Sequence, residues 1–254
     1  MSSWVLLRGL TRESGHWGAF PERLRDRLPE ARIVALDLPG NGSMNGLRSP
    51  SRIEAMSAWC RDHVRSRGIE PPYRLLAMSM GAMVAIDWAA RDPHAVAGCV
   101  LINTSLRPFS PWYRRLRPAT YPTLLRLALG PMSGARREAA ILGLTSRNVA
   151  AAAAALEDWT LLRVKRPVST ANALRQLLAA ARYRSPPQPP AVPLLVLAGR
   201  RDALVDPRCS AQLARRWRAD AAMHPSAGHD LTLDDGLWVA EQIGRWLGIA
   251  VQRL

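Results

Sequence analysis

Ser79 lies in the run Leu75-Leu76-Ala77-Met78-Ser79-Met80-Gly81-Ala82-Met83, where a buried-strand pattern ends and a helical pattern begins at once. The residues two positions before and after it, Ala77 and Gly81, are small, which lets strand and helix approach across a sharp turn. This is the A-x-S-x-G form of the G-x-S-x-G nucleophile elbow. Such a turn lifts the Ser79 Oγ above the C-terminal edge of a sheet for nucleophilic attack. The Met80 N–H, at the helix N-terminus, faces a developing oxyanion. A serine that only caps a helix after a strand has the same local signature, so the pattern needs company. Two further stretches supply it. Gly199-Arg200-Arg201-Asp202-Ala203-Leu204-Val205-Asp206-Pro207 follows one apolar run, and Ser226-Ala227-Gly228-His229-Asp230 follows the next. Asp202 and His229 are therefore expected in loops at the same sheet edge as Ser79.

Bringing three such loops together requires parallel strands. Four short apolar runs, Trp4–Leu7, Ile33–Asp37, Tyr73–Ala77 and Cys99–Asn103, alternate with stretches that repeat apolar residues at helical spacing, such as Trp17, Phe20, Leu24 and Leu28. Continuous apolar strands separated by amphipathic helices predict an α/β fold, a mostly parallel, doubly wound sheet with helices on both faces. The alternation stops near Ser105. Helical stretches at Pro122–Leu129, Ala135–Leu144, Asn148–Leu162 and Val168–Tyr183 follow, closed by the Pro-rich run 185–190. Strands at Leu194–Ala198 and Ala221–Met223 and helices at Ser210–Trp217 and Trp238–Leu247 then resume the pattern. The expected division is a core of residues 1–105 and 191–254 with a helical cap, 106–190, inserted after the fourth strand.

Ser, Asp and His in this chain order, each just past a strand, make the sequence resemble the α/β-hydrolase superfamily, in its single-domain capped branch of esterases, thioesterases and lactonases. Arg8-Gly9-Leu10-Thr11 sits where many relatives carry His-Gly, with Arg8 as the departure. Gly15-His16-Trp17 and Asp37-Leu38-Pro39-Gly40-Asn41-Gly42 match other family turns. The resemblance implies acyl transfer: Ser79 attacks an ester or thioester carbonyl, His229 takes its proton, and Asp202 orients the imidazole. The backbone N–H groups of Leu10 and Met80 would form the oxyanion hole. Asp206 is the rival for the acid, and the family's usual spacing after the strand-ending glycine favours Asp202. A serine at position 79 speaks against the dehalogenase and epoxide hydrolase relatives, which use aspartate there. Lactone, C–C bond and aminopeptidase-type hydrolysis by the same triad stay open, as does a non-catalytic binder on this scaffold. Gly40-x-Gly42 lacks a third glycine and opens a loop, so it does not read as a nucleotide site.

The segment 106–190 is expected to cover Ser79. Within it Phe109, Trp112, Tyr113, Leu116, Tyr121, Leu124, Leu125 and Trp159 either wall an acyl pocket or pack the segment onto the sheet; Phe109, Trp112, Tyr113 and Trp159 are the substrate-binding candidates. The 254 residues carry a net charge of +15, with 34 arginines and one lysine, Lys165. Residues 107–190 hold 13 of those arginines and Lys165 against Glu138, Glu157 and Asp158, a surplus of +11. That surplus is either solvated arginine on outer helix faces or a landing surface for an anionic partner. Acyl carrier protein, coenzyme A and an acidic lipid surface are the partners considered, with Arg114-Arg115-Leu116-Arg117 as the best cluster. No helix-turn-helix, zinc or RNA-binding signature accompanies the charge, which argues against nucleic acid. His63, His94 and His224 lack a partner pattern. His16 lies at a pocket entrance or is structural, and Asp230 and Asp234 are read as surface or helix-capping residues.

Composition bounds the rest. At 48% hydrophobic and 22% charged, the chain has enough apolar side chain for a core. No apolar run approaches the roughly 18 residues of a membrane span, and the start of the chain has no leader pattern. Cys60, Cys99 and Cys209 are far apart and odd in number. A cytoplasmic enzyme acting on a small-molecule acyl substrate, with no metal or other cofactor and no membrane anchor, is the expectation.

Overall fold

Side chains alternate between the two faces of a strand, so a strand that is apolar throughout dictates a sheet covered on both faces. The computed structural model, which describes residues 3–130 and 132–249, has that sheet. Its strands are β1 (Ser3–Leu7), β2 (Arg32–Leu36), β3 (Tyr73–Met78), β4 (Val96–Ile102), β5 (Leu194–Gly199) and β6 (Asp220–His224). They lie in the order β2-β1-β3-β4-β5-β6, and every pairing is parallel. Alternate residues feed two cores. Val5, Leu7, Leu75, Ala77, Cys99, Leu101 and Val196 pack with α2 (Ile53–Ser66), α3 (Met80–Arg91) and α9 (Arg208–Trp217). Trp4, Leu6, Leu76, Met78, Val100, Ile102 and Leu197 pack with α1 (Phe20–Arg27) and α10 (Leu231–Trp246).

The remaining helices, α4 (Trp112–Arg115), α5 (Tyr121–Leu129), α6 (Gly134–Thr145), α7 (Val149–Lys165) and α8 (Thr170–Arg182), all fall between β4 and β5. A parallel bridge between Arg107 and Arg184 joins the points where this segment leaves and rejoins the sheet, with Ser185 N–H donating to Arg107 O at 2.8 Å. Ser133, Asn148 and Ser169 cap α6, α7 and α8 through their side chains. Several expected boundaries move. β4 starts at Val96 rather than Cys99, because Gly98 leaves room for Trp246: a Cβ there would lie 2.8 Å from its ring. The last helix begins at Leu231, right after the His229 loop, and continues through a non-helical Asp235.

The chain order places β1 and β3 side by side while β2 lies on the far side of β1. The crevice where the winding direction reverses is where open α/β sheets bind ligands at their carboxyl edge. Leu7 and Met78, the last residues of β1 and β3, lead directly into Arg8-Gly9-Leu10 and Ser79.

Candidate active site

Ser79 is the one residue between β3 and α3, and its backbone is driven to φ 55°, ψ −118°. A non-glycine residue in that region carries strain on the order of 1–3 kcal/mol, held in place by its surroundings. Ser79 N–H donates to Ile102 O at 2.8 Å and Thr104 Oγ1 donates to Ser79 O at 3.0 Å, which fixes the turn from the β4 side. Gly81 explains the small residue two positions on. A Cβ there would stand 2.5 Å from both Leu7 O and Arg8 O, so only glycine lets α3 begin against the end of β1. Gly9 faces the serine as closely: its Cβ would lie 3.1 Å from Ser79 Cβ and 3.6 Å from Ser79 Oγ. Leu10, next in line, donates its N–H to no group among the described residues, and Met80 is the first residue of its helix, where N–H groups have no intrahelical partner.

Asp202 and His229 meet. His229 Nδ1 and Asp202 Oδ2 are 2.7 Å apart, both side chains almost wholly buried. The other carboxylate oxygen accepts the N–H groups of Leu204 (2.8 Å) and Val205 (2.9 Å), so Asp202 is oriented at both ends. The rival, Asp206, is engaged elsewhere. Its carboxylate accepts from Arg208 at 2.6–3.0 Å, and that ion pair holds the carboxyl below the usual aspartate value. Gly199 permits the two loops to touch, since a Cβ there would fall 2.3 Å from Ala227 O. No hydrogen bond joins Ser79 Oγ to His229 among the described residues; their loops are connected through Asn103 and Thr104, at the end of β4.

The departure at position 8 has a structural account. The buried Arg8 guanidinium pairs with Asp230 through Nη1–Oδ1 at 3.2 Å and a shorter Nη2–Oδ2 contact, and it lies over the Trp17 ring at 4.8 Å. Burial alone would raise the Asp230 carboxyl, but the Arg8 and Arg12 charges hold it below its usual value. Asp230 is a helix cap, as expected, but a buried one. Asp234 is a hub rather than a surface residue. It accepts the N–H groups of Gly228 (2.6 Å), Arg147 (2.9 Å) and Asn148 (3.2 Å) and the Ser146 hydroxyl. Arg147 Nε reaches Arg201 O at 3.2 Å. The α6–α7 junction is thus docked on the loops that carry Asp202 and His229. Among the other histidines, His224 closes onto Asp235 at 3.2 Å and accepts the Ala227 N–H at 2.9 Å.

A second buried polar cluster ties the helical segment to the sheet layer. Glu138 of α6 is fully buried, receives Arg12 on one oxygen and Arg163 on the other at 3.0–3.1 Å, and has His16 Nε2 at 3.8 Å. Burial pushes the Glu138 carboxyl up, but the adjoining His16 and the two guanidinium groups outweigh it and hold the pKa at about 2. Burial and the Arg12 charge push His16 down to about 4, and its Nδ1 accepts the Glu13 N–H at 3.1 Å. Trp159, a substrate-binding candidate, is part of this cluster: it packs edge-on to His16 (4.9 Å) and under Arg12 (4.9 Å). Phe109 packs against Trp217 and beneath Arg216. Trp112 and Tyr113 are 67% and 47% exposed and touch each other edge to face.

Several arginines of the segment serve the fold. Arg115 Nη2 donates to Ala180 O at 2.6 Å in the last turn of α8. Arg137 reaches the carbonyls of Leu127, Gly130 (2.8 Å) and Met132 (3.2 Å) around the end of α5. Both supply cations to helix C-termini. Arg117 donates to Asp202 O at 2.9 Å and through its N–H to Leu204 O at 2.9 Å. The joining roles of Asn103, Thr104, Asp234 and Glu138 had no sequence signal, because each acts through contacts between distant segments. Among the described residues no group of three His, Cys, Asp or Glu side chains is placed to hold a metal ion, and no helix is long and apolar enough to cross a membrane.

The family described as serine aminopeptidase, S33, matches residues 3–236. Over 101 residues the chain is 33% identical to the pimeloyl-[acyl-carrier protein] methyl ester esterase of Methylococcus capsulatus, covering 39% of this chain and 35% of that protein. The aligned stretch therefore spans about a third of that relative's length. A thermophilic esterase from Thermogutta terrifontis superimposes with a TM-score of 0.74 at 22% identity, over 98% of this chain and 90% of that one. The 2-hydroxy-6-oxo-6-phenylhexa-2,4-dienoate hydrolase of Rhodococcus sp. strain RHA1 does so with a TM-score of 0.73 at 17% identity, over 97% and 90%. At such identities the likeness establishes the fold. The chain belongs to the serine aminopeptidase S33 family and is an α/β-fold hydrolase.

Proposed function

We propose that the chain hydrolyses carboxylic esters or thioesters through an acyl-enzyme on Ser79. The observation that carries this reading is the buried 2.7 Å contact between His229 Nδ1 and Asp202, at the same sheet edge as the strained, half-buried Ser79. With Nδ1 given to Asp202, the Nε2 of His229 is left to take the serine proton, and Asp202 stabilises the resulting positive charge. Such contacts commonly close only when substrate is bound, so the absence of a Ser79–His229 hydrogen bond in the free enzyme is compatible with the role. Leu10 and Met80 N–H groups receive the oxyanion. Removing one donor of this kind lowers rate on the order of 10²–10³-fold. Water activated by His229 then releases the acid.

The helical segment 106–190 acts as a cap over this edge, anchored by Glu138 and by Asp234. An acyl group carried on acyl carrier protein is a second reading, favoured by the activity of the Methylococcus relative. With Arg115 and Arg137 engaged at helix ends and Arg117 on Asp202 O, a landing surface for such a carrier falls to the exposed Arg126 and Arg136.

The test pairs a fluorescent fluorophosphonate with p-nitrophenyl esters of increasing chain length, on the native protein and on Ser79→Ala. Labelling and hydrolysis that both vanish in the variant support the nucleophile. A folded native protein that resists labelling sinks the reading. A methyl ester turned over much faster on carrier protein than free, with the advantage lost at high salt, identifies the carrier reading.

A further inference from the structure

We infer that Asn103 is a positioning residue for His229, one that sets the spatial relation between the base loop and the acid strand. The inference rests on the reading of Ser79, Asp202 and His229 as nucleophile, acid and base. Asn103 follows the last residue of β4, is 1% exposed, and adopts φ 47°, a left-handed conformation that asparagine tolerates better than most residues. Its own N–H donates to Leu197 O at 3.0 Å, which holds its backbone against β5. From there the carboxamide reaches two other segments. Oδ1 accepts the Gly199 N–H at 2.9 Å, at the end of the strand that leads to Asp202. Nδ2 donates to Gly228 O at 3.0 Å and to His229 O at 2.7 Å.

Every hydrogen on Nδ2 and one lone pair of Oδ1 are thereby used, on the main chain of His229, of the residue before it, and of Gly199 at the head of the Asp202 loop. The site demands a group with an acceptor on one side and two donors on the other, which an amide provides and a carboxylate does not. Aspartate of the same shape would set negative charge against two carbonyl oxygens. Thr104, the next residue, holds Ser79 O at 3.0 Å, so two consecutive residues link the loops of all three reacting groups. Because Asn103 touches the main chain of His229 rather than its ring, it acts by fixing where the imidazole stands. No partner or substrate has to be present for it to do so.

The test compares Asn103→Gly, which keeps the left-handed backbone without the amide, and Asn103→Asp, which keeps the shape without the donors. The first readout is the downfield proton resonance of His229 Nδ1–H in 15N-labelled protein, assigned with His229→Gln. The second is kcat and KM on a p-nitrophenyl ester, with a thermal melt as control. We expect both variants to shift or broaden the resonance and to lose on the order of 10–10²-fold in kcat with KM changed less than about threefold. A resonance and kcat that stay at native values while the melt drops would make Asn103 purely structural and overturn the inference. If Ser79→Ala keeps native turnover while the resonance still moves in the Asn103 variants, the nucleophile reading fails and the positioning of His229 stands.

Discussion

Removing the charge of Glu138 gives a direct measure of what fastens the helical segment to the sheet. Glu138→Gln keeps the volume and leaves Arg12, whose side chain is 9% exposed, buried without its counter-charge; Arg163, 26% exposed, can turn toward water. The pKa of about 2 against an ordinary 4.5 corresponds to about 3 kcal/mol of stability at neutral pH. Stranding a buried partner sets a comparable scale of about 3–5 kcal/mol. For a chain of this length that is a fall in Tm of roughly 6–12 °C. The pH dependence has a definite sign. Folding favours the ionised carboxylate, so its contribution is complete above pH 4.5 and is lost as pH falls toward 2. His16 acts in the same direction over a higher window. Its neutral form is favoured by folding, so that contribution is complete above about pH 6.5 and disappears as pH falls through about 4. Glu138 itself raises His16, so the substitution would shift that window as well; placing His16→Asn in both proteins makes the difference between them isolate the carboxylate. Urea melts of both at pH 7, 5, 4 and 3, with proteolysis to map where residues 106–190 are first cut, should show a gap that narrows with acid. A gap below about 1 kcal/mol at pH 7, or one that does not change with pH, refutes the argument.

Three further outcomes follow from the geometry. Asp202→Asn should lower kcat by on the order of 10⁴-fold, because the imidazole loses the carboxylate that selects its tautomer; Asp206→Asn should lower it by less than about tenfold. Equal losses in steady-state ester hydrolysis would reverse that assignment. Gly81→Ala forces a methyl to 2.5 Å from two backbone carbonyls, so thermal melts should show a loss of at least about 1–3 kcal/mol, and a native-like melt would contradict the close approach. Asp230→Asn strands the buried Arg8 and should destabilise by about 3–5 kcal/mol, whereas Arg8→Leu combined with Asp230→Leu should lose less than the sum of the single changes in a double-mutant cycle.

The sheet was readable because most strands are short continuous apolar runs, such as Trp4–Leu7, and the helices between them repeat at their own period. The edges of elements were less readable. β4 begins three residues before its densest apolar stretch because Gly98, a poor strand residue by itself, yields space to Trp246. Ser79, Asp202 and His229, the proposed triad, stood out because small neighbours and strand ends are local features. The groups that hold them did not. Asn103 bonds residues about a hundred positions away, and Asp234 collects amides from the α6–α7 junction. Nothing in local spacing marks such partners. Charge misleads in the same way: the arginines of 107–190 read as a field, but Arg115, Arg137 and Arg163 are each committed to a specific carbonyl or carboxylate.

The Asp234 hub ties the helical segment to the turn that carries His229. One carboxylate takes amides from both the α6–α7 junction and the turn before His229, and Asp230 N–H adds a bond to Thr145 O at 2.7 Å. Displacing the α6–α7 junction would therefore pull on the turn before His229. The other end of the segment grips the neighbouring loop: Arg117 reaches Asp202 O and Leu204 O, and Asp206 N–H donates to Arg114 O at 2.9 Å. The two loops that carry Asp202 and His229 are thus clasped from opposite ends of one insertion, and a change in how that insertion packs is felt by both.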